Sequence, residues 1–227
     1  MSSKKDFDKR SIYTITNYFY WFFMGNLYFL LLNIPLLFLL IKINYYGIME
    51  ASILEIFLCS LPLGPAFTAL LGVMGKLLRE KDVNITKDYF RMYKMNFRQA
   101  IFLWMIQLTV LIILYVDINS VKNELYFLFI LLFLLVSVCG FYMFPIVSRF
   151  HIKSKEVIIM SIVYIFKKIK TTILIIMALL LNFMIFYIIP GISVLFVISL
   201  MCYAIMYFQN AFLKAIETEN YHRKNFL

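Results

Sequence analysis

An all-α polytopic membrane bundle is the fold class this chain predicts, and three observations carry it. Hydrophobic residues make up 63% of its 227 residues and charged residues only 15%. No single soluble core of that length hides so much apolar surface. The apolar residues gather in six runs, 19–43, 49–74, 99–116, 125–147, 171–189 and 191–213. Each is close to the ~20 residues that cross a hydrocarbon core of about 30 Å. The third observation is charge. When the runs are threaded alternately through a bilayer, all of the 22 Lys and Arg except Lys42 and Lys122 fall on one side. Basic residues beside membrane ends are retained in the cytoplasm, so both termini are expected there. Six spans leave no length for a separate soluble part, and residues 1–227 read as one integral membrane domain.

The net charge of +10 does not point to nucleic acid. The charges sit beside spans, where anionic lipid headgroups attract them at about 1 kcal/mol each. Cys59, Cys139 and Cys202 all fall inside spans without metal-ligand spacing and read as small packing residues. The first apolar run is too long for a signal-peptide core and lacks a small-residue cleavage site, so it is expected to remain in the mature protein.

Segment 1–17 is a polar, basic lead-in. Span one opens with Tyr18, Phe19, Tyr20, Trp21, Phe22 and Phe23, rings suited to the membrane interface. It ends near Lys42, before a turn at Tyr45, Tyr46 and Gly47. Span two carries Leu61-Pro62-Leu63-Gly64-Pro65-Ala66 at its middle. Two prolines without amide hydrogens must kink or break that helix. Segment 75–98 is too long for a turn. Its central part interleaves Tyr89, Phe90, Tyr93 and Phe97 with Lys87, Arg91, Lys94 and Arg98. The aromatic spacing predicts one face of an amphipathic helix on the cytoplasmic surface, turning into span three near Gln99. A short polar loop, 117–124, leads to span four, which reaches Pro145. Segment 149–170 repeats the basic interfacial pattern, with Lys153, Lys155, Lys167, Lys168 and Lys170 flanking an apolar stretch. Pro190-Gly191 marks the turn between spans five and six. The tail from Lys214 is a polar helical extension.

No phosphate loop, zinc-ligand pair or nucleophile elbow is present, and His151 and His222 share no span. No catalytic residue, cofactor or metal is therefore expected, and the chain reads as a non-enzyme. The polar residues inside the spans say more. Asn33, Gln107 and Asn182 fall near the midplane, level with the Pro62, Gly64 and Pro65 break. An unpaired amide in hydrocarbon costs several kcal/mol. These groups either bond helix to helix or, with carbonyls freed by the break, form a site for a small polar ligand. Glu55 is the one acid well inside a span; it is either functional or paired with Lys42 or Lys122 near the external face.

The stretch from span one to span three resembles the YesL-like family of bacterial membrane proteins, built around a domain of unknown function. The residues that carry the resemblance are Asn33 with Pro35, the Leu61 to Ala66 element followed by Ala69, and Tyr89-Phe90 leading into Lys94-Met95-Asn96-Phe97-Arg98-Gln99-Ala100. The second half matches in layout more than in motif. Family members stand beside sugar-import permeases and two-component regulators. The resemblance thus implies an accessory component of ABC-type carbohydrate uptake or its regulation, in the bacterial cytoplasmic membrane. On that reading Lys87, Tyr89, Phe90, Arg91, Lys94, Asn96, Phe97 and Arg98 dock against anionic lipid or an importer permease. The alternative is a small-molecule transporter working through the midplane residues.

Overall fold

In the computed structural model the described residues, 2–47, 51–121 and 125–225, form ten helices and no strand. The chain begins with α1 (Ser2–Leu32) and α2 (Ile34–Tyr46), then α3 (Ile53–Ser60) and α4 (Leu63–Glu80). It continues through α5 (Ile85–Ser120), α6 (Leu125–Arg149), α7 (Ser154–Lys167) and α8 (Ile169–Ile188). The single turn α9 (Pro190–Ser193) precedes α10 (Val197–Asn225). Five stretches are long and apolar enough to cross a membrane: Ile53–Glu80, Ile85–Ser120, Leu125–Arg149, Ile169–Ile188 and Val197–Thr218. A sixth crossing exists if the bent pair α1 and α2 is one span. The architecture is a polytopic membrane helix bundle.

α4 is the axis of the bundle. Every residue from Gly64 to Gly75 is buried. Gly64, Thr68 and Gly72 stand four apart, a spacing that puts small residues on one face and lets a neighbour approach closely. α5 runs back along that face, with Trp104 over Gly64 and Met92 over Gly72. α6 and α10 run parallel to one another, tied by Gln209 to the Phe141 carbonyl and by Arg149 to Glu217. At the periphery, α8 buries only Thr172 and Ile175 and presents Leu180, Phe183 and Met184 outward, as a lipid-facing helix should.

The structure departs from the sequence reading in four places. Span one is not a single rod: α1 and α2 meet at 75° at Asn33. Pro35 at the start of α2 lacks the amide hydrogen that would continue the ladder, and the Phe29 carbonyl takes both the backbone and the side-chain N–H of Asn33. Second, residues 86–98 do not turn into span three. They are the first turns of α5, one unbroken helix of 36 residues. At 1.5 Å per residue it is about 54 Å long and outreaches the hydrocarbon core. No proline or glycine interrupts it. Third, the aromatics of that segment do not share a face, since Tyr89 is buried while Phe90 and Phe97 are exposed. Fourth, the turn expected at Pro190-Gly191 is a single helical turn, α9, bonded from Ser193 N–H to the Ile189 carbonyl.

Elsewhere local chemistry explains the ends. Gly47 closes α2 at φ +94°, a conformation other residues seldom adopt. Ser52 and Glu55 form a capping box at the start of α3. Asn84 caps α5 through the Lys87 amide. The start of span two at residues 49–50 and the loop residues Lys122, Asn123 and Glu124 lie outside the described residues. So do the side chains of Lys4, Lys5, Lys9, Arg10, His222, Arg223 and Lys224.

Asp88 clasps the junction of α4 and α5. It is 3% exposed and accepts from Lys76 Nζ at 2.7 Å, Arg91 Nη2 at 2.9 Å and the Asn84 amide at 3.2 Å. Removing one partner of a buried pair strands the other charge, and the partial exposure of Lys76 and Arg91 reduces the cost. Asp88→Asn is expected to destabilise the detergent-solubilised protein by about 1–3 kcal/mol. A thermal melt unchanged by the substitution would show that the clasp holds nothing.

Candidate functional site: a cavity at the elbow of the first span

The break in the second span frees backbone carbonyls, and the structure satisfies them from the side. α3 ends at Ser60 because Pro62 cannot donate. The Trp104 indole of α5 donates to the Ser60 carbonyl at 2.7 Å. Within α4 the Tyr89 hydroxyl adds a bond to the Ala66 carbonyl at 3.2 Å, and the Thr68 hydroxyl one to that of Gly64 at 2.8 Å, both beside the helix's own ladder. Gly64 makes the indole contact possible, since a Cβ there would lie 2.4 Å from Trp104 Cβ. Pro62, Gly64 and Pro65 are therefore a structural joint whose neighbours, Leu63 and Phe67, reach the cavity beside it.

That cavity measures about 440 Å³ and lies inside the elbow of α1 and α2. Phe29, Asn33 and Leu37 form the elbow wall, Trp104 and Gln107 come from α5, and Ser137, Gly140 and Phe144 from α6. Asn33 is 1% exposed. Its side-chain nitrogen donates to the Phe29 carbonyl at 2.8 Å, while Oδ1 has no partner. Gln107 donates from Nε2 to the Val136 carbonyl at 3.0 Å, and its Oε1 is likewise buried and unpartnered. Because each amide faces a backbone carbonyl, the nitrogen must be the contacting atom, which fixes the oxygen's identity. Gln107 also lines a second, wholly apolar cavity of about 200 Å³ between α5, α6 and α7, so its side chain is the partition between the two.

The residues expected at the midplane thus divide. Asn33 and Gln107 share a cavity. Asn182 does not join them: it lies on peripheral α8 and bonds within its own helix to the Ala178 carbonyl at 2.8 Å. Nor does Glu55, which pairs with Lys42 at 2.9 and 3.0 Å, with both side chains well exposed. Its place in the capping box and that pair account for the carboxylate. In the basic segment, Lys87, Phe90, Arg91, Lys94, Phe97 and Arg98 are exposed, whereas Tyr89 and Asn96 are buried against the bundle. Sequence reasoning missed two further buried amides. Asn26 of α1 donates to the Val194 carbonyl, and Gln209 of α10 to that of Phe141, both at 2.6 Å. A polar residue within an apolar run was the available signal, but both stand away from the midplane. Among the described residues no cluster of His, Cys, Asp or Glu could hold a metal ion.

Residues 13–118 match the profile of a family described as Protein of unknown function, DUF624. Over that stretch the chain is similar to this family. The YesL-like family is known to carry this domain, and the Asn33, Leu61–Ala66 and Tyr89–Ala100 elements of the resemblance all lie within the matched stretch. No curated protein and no solved structure matches the chain. The DUF624 stretch contains the elbow, the broken span, Trp104 and Gln107, while α6, which closes the cavity, lies beyond it.

Gly140 is where that closure is most sensitive, because a Cβ there would stand 2.6 Å from Gln107 Nε2. Gly140→Val should push Gln107 off the Val136 carbonyl and cost about 1–3 kcal/mol. Gln107→Ala placed in the same chain should return part of that loss. Strict additivity of the two changes in a thermal melt would disprove the contact.

Proposed function

We propose that the protein is a non-enzymatic membrane protein that binds, and moves, a small molecule through the elbow cavity. One observation carries the reading: Asn33 at the elbow and Gln107 of α5 line the same cavity. Their nitrogens are held by carbonyls of α1 and α6, and their oxygens stay enclosed and unpartnered beside it. A volume of about 440 Å³ falls in the range of small-molecule sites, about 300–1,000 Å³, and the mostly apolar wall with a few placed polar groups is the usual composition. The 75° elbow and the Leu61-Pro62 joint flank the cavity and supply two places where helices can swing against each other.

A compound screen by thermal shift on the full chain in nanodiscs tests this. A stabilising compound is expected, and its effect should vanish in Asn33→Leu and Gln107→Leu while both variants still fold. Stabilisation that survives both substitutions would move the site elsewhere.

A second reading is favoured by the exposed basic and aromatic surface of α5. There the protein is an accessory component of ABC-type carbohydrate uptake, docking on a permease or on anionic headgroups through Lys87, Arg91, Lys94 and Arg98 with Phe90 and Phe97. On this reading that surface and both termini face the cytoplasm, which the charge asymmetry supports, and the cell is bacterial, as the resemblance implies. Changing Lys87, Lys94 and Arg98 together to Ala should abolish co-purification with a permease from native membranes; retention would sink the docking role.

A further inference from the structure

We infer that the apolar cavity between α5, α6 and α7 is a second chamber of the elbow site, that the Gln107 side chain is the shutter between the two, and that the chamber takes an uncharged apolar group of the ligand. This rests on the reading of the elbow cavity as a binding site. Among the described residues Gln107 alone lines both spaces, of about 440 and 200 Å³. It fills the seam between α5 and α6 at the point where α6 has no side chain. A Cβ on Gly140 would stand 2.6 Å from Gln107 Nε2 and 2.9 Å from Oε1, so the amide lies directly on that glycine.

The shutter is lightly held. Gln107 has one bond, from Nε2 to the Val136 carbonyl at 3.0 Å, and its enclosed Oε1 has none. A single neutral hydrogen bond biases a two-state equilibrium by about fivefold. Close packing is what usually pins a buried side chain, but here an empty space lies on either side of it. Leaving the seam does not strand the amide either. The Ser137 hydroxyl, one residue along α6 from Val136 and on the elbow wall, donates to Phe133 and keeps lone pairs that can accept from it. Gln209 is the contrast. It makes the same kind of bond, to the Phe141 carbonyl at 2.6 Å, with an equally unpartnered oxygen, but it lines neither cavity.

The second chamber sets what can enter it. Apart from Gln107 its wall is leucine, isoleucine, valine, methionine and the Cys139 thiol. A charged or polar group there would lose its water and find no partner. Dry apolar cavities of ~150 Å³ take guests the size of benzene. A chamber of about 200 Å³ therefore has room for one ring or a short branched chain. With the shutter aside, that group passes between α5 and α6.

The glutamines of the chain are Gln99, Gln107 and Gln209, so glutamine side-chain amides can be read one by one. Relaxation dispersion on the full chain, labelled with ¹⁵N at glutamine and held in nanodiscs, is the first measurement. Exchange on the microsecond-to-millisecond scale is expected at Gln107 and not at Gln209. The minor state should hold about one molecule in six, the population that one neutral hydrogen bond allows. Bromobenzene, a ring the chamber can hold, should then shift the Gln107 amide saturably; solution in the lipid alone would give a shift linear in concentration. Cys139→Phe, or Ile162→Phe from the α7 side, fills the chamber and should remove that shift. A Gln107 amide as static as that of Gln209 would overturn the shutter. A shift that is linear, or that survives both substitutions, would overturn the chamber. A compound that stabilises the chain through Asn33 while Gln107 stays static would leave the elbow site standing without either. Dispersion and titration both use the unsubstituted chain, so a misfolded variant cannot decide the outcome.

Discussion

The contact between the Trp104 indole and the Ser60 carbonyl holds the bundle in its observed form. Backbone in hydrocarbon has no water to fall back on, so a helix broken by proline needs donors from its neighbours. Trp104 supplies one at 2.7 Å, and glycine at position 64 lets α5 come close enough to deliver it. That approach fixes the register of α5 on α4. Gln107, one turn beyond Trp104, then meets α6 where Gly140 leaves room for its amide. The cavity is the space left between this packed pair of contacts and the elbow of span one.

The same principle recurs through the molecule. Asn26, Asn33, Gln107 and Gln209 all donate to backbone carbonyls, Gln107 and Gln209 to α6, Asn26 to the turn after α9 and Asn33 to α1 itself. A link between helices in lipid is worth about 0.6–2 kcal/mol. Each amide also keeps an oxygen without a partner. In Asn26 and Gln209 that oxygen is enclosed in packing. The Asn33 and Gln107 oxygens are enclosed as well, but the two residues differ by bordering a cavity.

The basic end is built on different terms. Lys76, Asp88 and Arg91 make a compact clasp between α4 and α5, and Arg149 pairs with Glu217 at 2.6 Å between α6 and α10. Lys87, Lys94 and Arg98 are left exposed on a helix too long to end inside the membrane. Rigid projection of charge from a continuous helix presents the same surface to a partner or a headgroup at every moment. A separate amphipathic helix on a flexible turn would not.

The bundle class, the approximate spans and the break at Pro62 were legible in the sequence, because apolar length, charge placement and a missing amide hydrogen act locally. Asn33 and Gln107 were also legible as polar residues out of place. Their pairing was not, and neither was the exclusion of Asn182 and Glu55. Depth along a span places all of these within reach of one site, but the face of the helix decides which meet. Asn182 points along peripheral α8, and Glu55 finds Lys42 across the turn. Likewise the continuity of α5 depends on nothing interrupting its ladder, whereas a composition shift near Gln99 reads as a boundary. Chain chemistry by itself determined the helical class, the break at Pro62 and which end carries the charge. Only the tertiary structure decided which polar groups share a cavity, since that follows from how the helices are rotated against one another where they meet at Gly64 and Gly140.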